Sequence, residues 1–194
     1  FCGELRELTR RYGVVLVLDE IQSGYGRTGK FFAHQWAGIK PDLITVAKGI
    51  ANGFPFSGVL ISPIFAARKG MLGTTFGGNH LGCAAALAVL KIIREEKLIE
   101  NALHTGTYLM QRLQELHSPL IKEIRGRGLM VGVELTVPVK EVREPLLFEE
   151  RIFTGYSGLY TLRILPPLIL STKEVDIFVG SLKKVLDGYY ENSR

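Results

Sequence analysis

Cysteine is scarce. Cys2 and Cys83 are the only two in 194 residues, too few for a disulfide framework, and the expected location is a reducing cytoplasm. Metal-ligand spacing is missing too: His34, His80, His104 and His117 lie far apart, and Cys83, three residues after His80, has no companions. Core or surface roles are the simpler reading for all six, and no metal is expected. Charge is not blocked. Lys and Arg are scattered, as in Arg10-Arg11 and Lys183-Lys184, for a net charge of +5. Without an aromatic–basic stripe, this argues against nucleic acid and is compatible with small anionic ligands. No apolar run reaches membrane-spanning length, and no leader is expected, since an amphipathic pattern follows directly after Gly3. Repeats and low-complexity segments are absent as well. At 46% hydrophobic and 22% charged residues, the composition is that of a globular chain with a real core.

What is present is an alternation of helical and strand patterns. Leu5, Leu8 and Tyr12 at helical spacing, stopped by Gly13, predict a crossover helix at the very start, with the chain entering mid-fold. Two short apolar runs, 14–18 and 42–47, predict strands buried on both faces of a parallel sheet. Residues 20–41 read as a Gly-rich loop closed by Lys40-Pro41-Asp42, and 58–61 as a further strand. A short helix is expected over 63–69, a flexible loop over 73–80, and helices over 81–95 and 98–117. After Ser118-Pro119 the texture changes: a strand within 124–135, a helix near 145–152, a strand near 161–164 and a last helix from Thr172 to about Leu186. The implied organisation is α/β over 1–117, followed by a smaller α+β domain over 118–194.

Each doubly buried run delivers one charged residue to its end: Asp19 to the first, Lys48 to the second. Ligands of open α/β sheets bind at such ends. An amine can form a Schiff base with an aldehyde, and a carboxylate can keep a pyridine nitrogen protonated, which is the pairing pyridoxal phosphate chemistry needs. Lys48 sits among Gly49, Ala51 and Gly53, which leave room for a planar ring; a desolvated lysine there would lose its proton more readily. A competing motif lies alongside. Gly24-Tyr25-Gly26-Arg27-Thr28-Gly29-Lys30 nearly completes the phosphate loop of P-loop ATPases, but position 31 is Phe where a Mg²⁺-binding hydroxyl is required. Its place after the acidic strand is also wrong.

Five ordered blocks then carry a resemblance: Leu18-Asp19-Glu20-Ile21-Gln22-Ser23-Gly24 and on to Gly29, Pro41 to Gly49, Thr74-Thr75-Phe76-Gly77-Gly78-Asn79-His80-Leu81, Arg125-Gly126-Arg127-Gly128-Leu129-Met130 and Arg163-Ile164-Leu165-Pro166-Pro167-Leu168. Together they resemble the class III aminotransferases of fold type I, with the wording 47–53 and 153–155 nearest to N-acetylornithine and N-succinylornithine aminotransferases of arginine biosynthesis. His80 stands where many of these have Pro, a matter of loop shape. The resemblance implies part of the large, mostly parallel-sheet domain of a pyridoxal 5'-phosphate (PLP) enzyme plus the smaller C-terminal domain. It implies that Lys48 is the Schiff-base lysine and proton shuttle, that Asp19 pairs with the pyridinium nitrogen, and that Gln22 bonds near the ring's phenolic oxygen. Thr75 would bind phosphate in the neighbouring subunit's site, in a homodimer with shared active sites. Arg163 would fork onto a substrate carboxylate. The reaction implied moves the ω-amine of an N-acyl-ornithine to 2-oxoglutarate. Family members run to roughly twice this length, and the half that supplies the phosphate grip, ring stacking and a second arginine has no counterpart here. Two alternatives stand beside the first reading: a catalytically incompetent fragment, and an aminotransferase for ornithine or 4-aminobutyrate.

Overall fold

The computed structural model describes residues 1–66 and 68–192, and the chain divides into two units, Phe1–Ile99 and Glu100–Arg194. In the first, α1 (Cys2–Arg11) ends as expected at Gly13, whose φ of 63° suits a residue without Cβ. A three-stranded sheet follows in the order β1 (Val17–Asp19), β2 (Leu43–Val46), β3 (Gly58–Ile61); β1 and β2 are parallel, β2 and β3 antiparallel. Strand β1 is shorter than the apolar run suggested. The Val14 amide donates to Thr9 O and the Leu16 amide to Asp42 Oδ2, so the front of the run is tied to helix and side chain rather than to a ladder.

Burial on both faces is not observed within this chain. Val14, Val15 and Val17 are exposed, as are Val59, Leu60 and Ile61, because none of the described elements covers them. The helix expected over 63–69 is also absent from the described residues. Positions 63–65 and 69–70 form turns and a bend, with Phe65 N bonded to Ser62 O, and Ala67 lies outside the described residues. Helix α2 (His80–Glu95) starts one residue earlier than expected, capped by Asn79, whose side chain accepts from Gly82 N at 2.7 Å.

In the second unit α3 (Leu98–Gln114) and a four-stranded antiparallel sheet, β4-β5-β7-β6, build the larger core. The single strand expected within 124–135 is a hairpin: β4 (Ile121–Arg127) and β5 (Met130–Leu135) turn through Gly128 (φ 55°) and Leu129. Helix α4 (Val139–Phe148) lies earlier than expected, because Val139, Val142 and Leu146 set its buried face and Pro145 is accommodated inside it. Strand β6 (Gly155–Ser157), too short for a periodic signal, edges β7 (Thr161–Ile164). The last helix, α5 (Thr172–Asn192), runs past Leu186 despite Gly188, and Ser171 rather than Thr172 caps it, through reciprocal bonds with Glu174. Val133, Leu162, Val142, Leu146, Leu182 and Leu113 are fully buried where these elements meet.

Candidate active site

Parallel pairing places the two sequence-selected residues on one edge. Asp19 is the last residue of β1 and faces Thr45 in the register; Lys48 lies two positions beyond the end of β2. Both strands run the same way, so both residues emerge at the carboxyl ends, where ligands of such sheets bind. Asp19 is exposed, and one of its oxygens accepts from the Ile21 amide at 2.9 Å. Lys48 is exposed with φ 47°, a left-handed conformation uncommon for a residue bearing Cβ. Among the described residues it makes no ion pair, so its amine is free to react. The desolvation expected for Lys48 is not supplied by this chain's own elements.

Gly49 does not border open space. A Cβ there would lie 3.3 Å from Tyr25 Cβ, so the loop carrying Lys48 packs closely on the 20–32 loop. That second loop is well anchored. Glu20, 2% exposed, accepts from Ser23 Oγ (2.5 Å), Ala33 N (3.0 Å), His34 N (2.8 Å) and His34 Nδ1 (3.0 Å). Burial pushes its carboxyl up, but these donors outweigh burial and hold it below the ordinary glutamate range. Gln22, half-buried, lies inside the turn that Glu20 closes. The ATPase-like stretch forms no phosphate cradle. The amides of Gly26 and Gly29 bond to Phe31 O and Gly26 O, and Tyr25, Phe31 and Phe32 pack ring to ring at 4.8–5.9 Å.

Thr75 sits in the exposed turn before α2. Asp42, read from the sequence as a turn and strand-start residue with no side-chain role of its own, has a structural task. Its carboxylate takes a bidentate fork from Arg6 (2.7 and 2.9 Å) and the Leu16 amide (2.8 Å), and these bonds lower its pKa to about 2. A charged residue beside a strand-start proline was the available signal.

Arg163 lies in the second unit, mid-strand on β7, opposite Gly132 and Gly155. Its side chain is exposed and rests over Gly155: a Cβ at 155 would come within 3.0 Å of Arg163 Nε. Arg163, Thr154, Phe153, Pro166 and Phe178 line an open cavity of about 220 Å³. A guanidinium without a protein partner among the described residues, beside an apolar wall, suits a carboxylate-bearing chain. Among the described residues no cluster of His, Cys, Asp or Glu could hold a metal, and no helix is long and apolar enough to cross a membrane.

An addressable amine and a fixed carboxylate on one strand edge fit a pyridine aldehyde cofactor. Comparison with known proteins agrees. The profile of the family "Aminotransferase class-III" matches residues 1–186. An ornithine aminotransferase of Brevibacillus brevis is 40% identical, covering 96% of this chain and 47% of that protein. An acetylornithine aminotransferase of Mycolicibacterium smegmatis is also 40% identical, covering 97% and 49%. Among solved structures, the ornithine δ-aminotransferase of Plasmodium falciparum superposes with a TM-score of 0.89 at 32% identity, covering 97% of this chain and 51% of that one. A Bacillus anthracis aminotransferase gives 0.88 at 34%, covering 94% and 47%. The chain thus spans about half the length of these relatives. Its α/β architecture is that of the fold type I aminotransferases, and the chain belongs to the class III aminotransferase family, whose members are PLP-dependent transferases.

Proposed function

We propose that this chain is the lysine-bearing part of a cytoplasmic aminotransferase that moves the ω-amine of an N-acyl-ornithine to 2-oxoglutarate in arginine biosynthesis. The observation that carries the reading is the unpaired Lys48 amine, set on left-handed backbone at the same sheet edge as Asp19. Residues 1–117 would belong to the PLP-binding large domain and 118–194 to the small C-terminal one. Bound PLP supplies an aldehyde for amines and an electron sink for the carbon that loses its proton. Lys48 Nζ would hold the cofactor through its aldehyde and would serve as the base that moves the proton at the substrate carbon. Asp19 would keep the pyridine nitrogen protonated, Gln22 would bond near the phenolic oxygen, and Thr75 would bind phosphate in the neighbouring subunit's site of a homodimer. Arg163 orients the oxo acid by its carboxylate. Relatives named for ornithine and for acetylornithine match equally well, so the donor is to be settled by assay.

A second reading, a fragment that cannot hold the cofactor alone, is favoured by the exposed apolar strands β1 and β3. One experiment separates the two. The chain is incubated with PLP, reduced with borohydride and peptide-mapped, and transamination is followed with N-acetylornithine, ornithine and 4-aminobutyrate. A stable adduct on Lys48 that is lost in Lys48→Ala supports the first reading. An adduct retained in that variant overturns the role of Lys48, and a folded chain with no adduct supports the second.

A further inference from the structure

The Glu20 carboxylate is the most heavily bonded side chain near the site, yet the proposed chemistry gives it no task. Strand alternation sends Asp19 and Glu20 to opposite sides. Asp19 turns to the open edge and Glu20 into the protein, where it is 2% exposed. From there it ties together segments far apart in sequence. Ser23 Oγ closes the turn that contains Gln22. The amides of Ala33 and His34 are the first two of the 3₁₀ turn Ala33–Ala37, whose early N–H groups otherwise lack partners. His34 Nδ1 completes the set; because an ionised carboxylate only accepts, that nitrogen carries the proton. On the backbone, Glu20 N donates to Thr45 O of β2 and Glu20 O accepts from Gly24 N. The residue directly after Asp19 is therefore fixed to the sheet, to its own turn and to a loop end fourteen positions away.

Resting on the reading above, we propose that Glu20 is a positioning residue: its buried carboxylate locks the 20–23 turn so that Asp19 and Gln22 keep a fixed aim at the cofactor ring. It touches neither substrate nor cofactor and works through its neighbours. The Asp19 geometry has a direct reporter, the Ile21 amide bonded to Asp19 Oδ1.

The test uses Glu20→Gln, which keeps the shape but turns one acceptor into a donor facing N–H groups. Amide hydrogen exchange is the first readout. Ile21, Ala33 and His34 should lose protection while Leu18 of β1 keeps it; an unchanged Ile21 rate overturns the proposal whether or not PLP binds. PLP titration with borohydride trapping at Lys48 is the second, normalised to the folded fraction from thermal melts. Glu20→Gln should weaken half-saturation about tenfold, a size usual for residues that orient a binding group. In the double variant Asp19→Asn/Glu20→Gln the loss should be smaller than the sum of the two single losses, since Glu20 acts in part through Asp19. Additive losses, or a loss that merely follows unfolding, refute positioning. Failure of the wild-type chain to trap PLP at Lys48 would count against the functional reading alone, and the Ile21 rate would then decide the role of Glu20.

Discussion

Gly106, in the middle of α3, gives a test in which two rules predict opposite signs. Helix propensity favours alanine over glycine by about 1 kcal/mol. The structure opposes it: a Cβ at 106 would lie 2.2 Å from both the carbonyl carbon and oxygen of Gly128 and 2.5 Å from its Cα. Those are backbone atoms of the β4–β5 turn, held by the hairpin register, and cannot swing aside like the end of a side chain. An ordinary contact needs about 1 Å more, so either α3 or the hairpin must shift against a close-packed core. Overpacking of this kind costs about 1–3 kcal/mol, and the backbone clash places Gly106→Ala at or above the upper end, leaving about 2 kcal/mol of net destabilisation after the propensity gain. The control is Gly180→Ala in α5, where nothing lies within 4 Å of the added methyl. It should gain about 0.5–1 kcal/mol. Urea melts of the three proteins, followed by circular dichroism, read the difference from midpoint shifts at constant slope. A Gly106→Ala chain as stable as Gly180→Ala would refute the close approach of helix and turn.

Acid should unfold the first unit early. Asp42 is held at about 2 in the fold against an ordinary aspartate value of 3.8, so its stabilisation is complete above pH 4 and lost as pH falls from about 4 to about 2. Asp42→Asn should flatten the pH dependence of the melting temperature over that window; an unchanged slope would count against the Arg6 fork. On the proposed role of Arg163, Gly155→Ala should displace its guanidinium and raise the KM for 2-oxoglutarate several-fold with little change in PLP trapping at Lys48, and an unaltered KM would separate Arg163 from oxo-acid binding. Phe31→Ser would complete the letters of a phosphate loop. It should nevertheless give no stabilisation by Mg-ATP and cost about 2 kcal/mol, since it removes a ring packed on Tyr25 and Phe32.

Much of the fold was legible where one signal dominated. Strand β3 and strand β7 were read to the residue, and Gly13 stopped α1, because a left-handed stop and a short β-branched run allow few alternatives. Errors gathered where long-range bonds overrode a local pattern. The front of the 14–18 run was captured by Thr9 and Asp42, residues no window on that run contains. Gly128 divides a strand-like stretch into a hairpin, although in sequence it looked like one glycine among several. Burial on both faces was inferred from composition, but composition records only that a strand is to be covered, not whether this chain supplies the cover. Within the candidate site, Asp19 and Lys48 stood out in the sequence because each ends an apolar run. Glu20 could not be told apart from a surface acid, since all its donors except Ser23 lie thirteen or fourteen residues away.

The left-handed backbone at Lys48 also bears on how an inert form of this protein should be made. A residue with a Cβ at φ 47° carries about 1 kcal/mol of strain that glycine escapes. Alanine at position 48 would delete the amine and keep the strain, whereas glycine would delete both. On the proposed role of Lys48, reactivity and conformational ease are in opposition at this one position, and Lys48→Gly is the less strained inert variant.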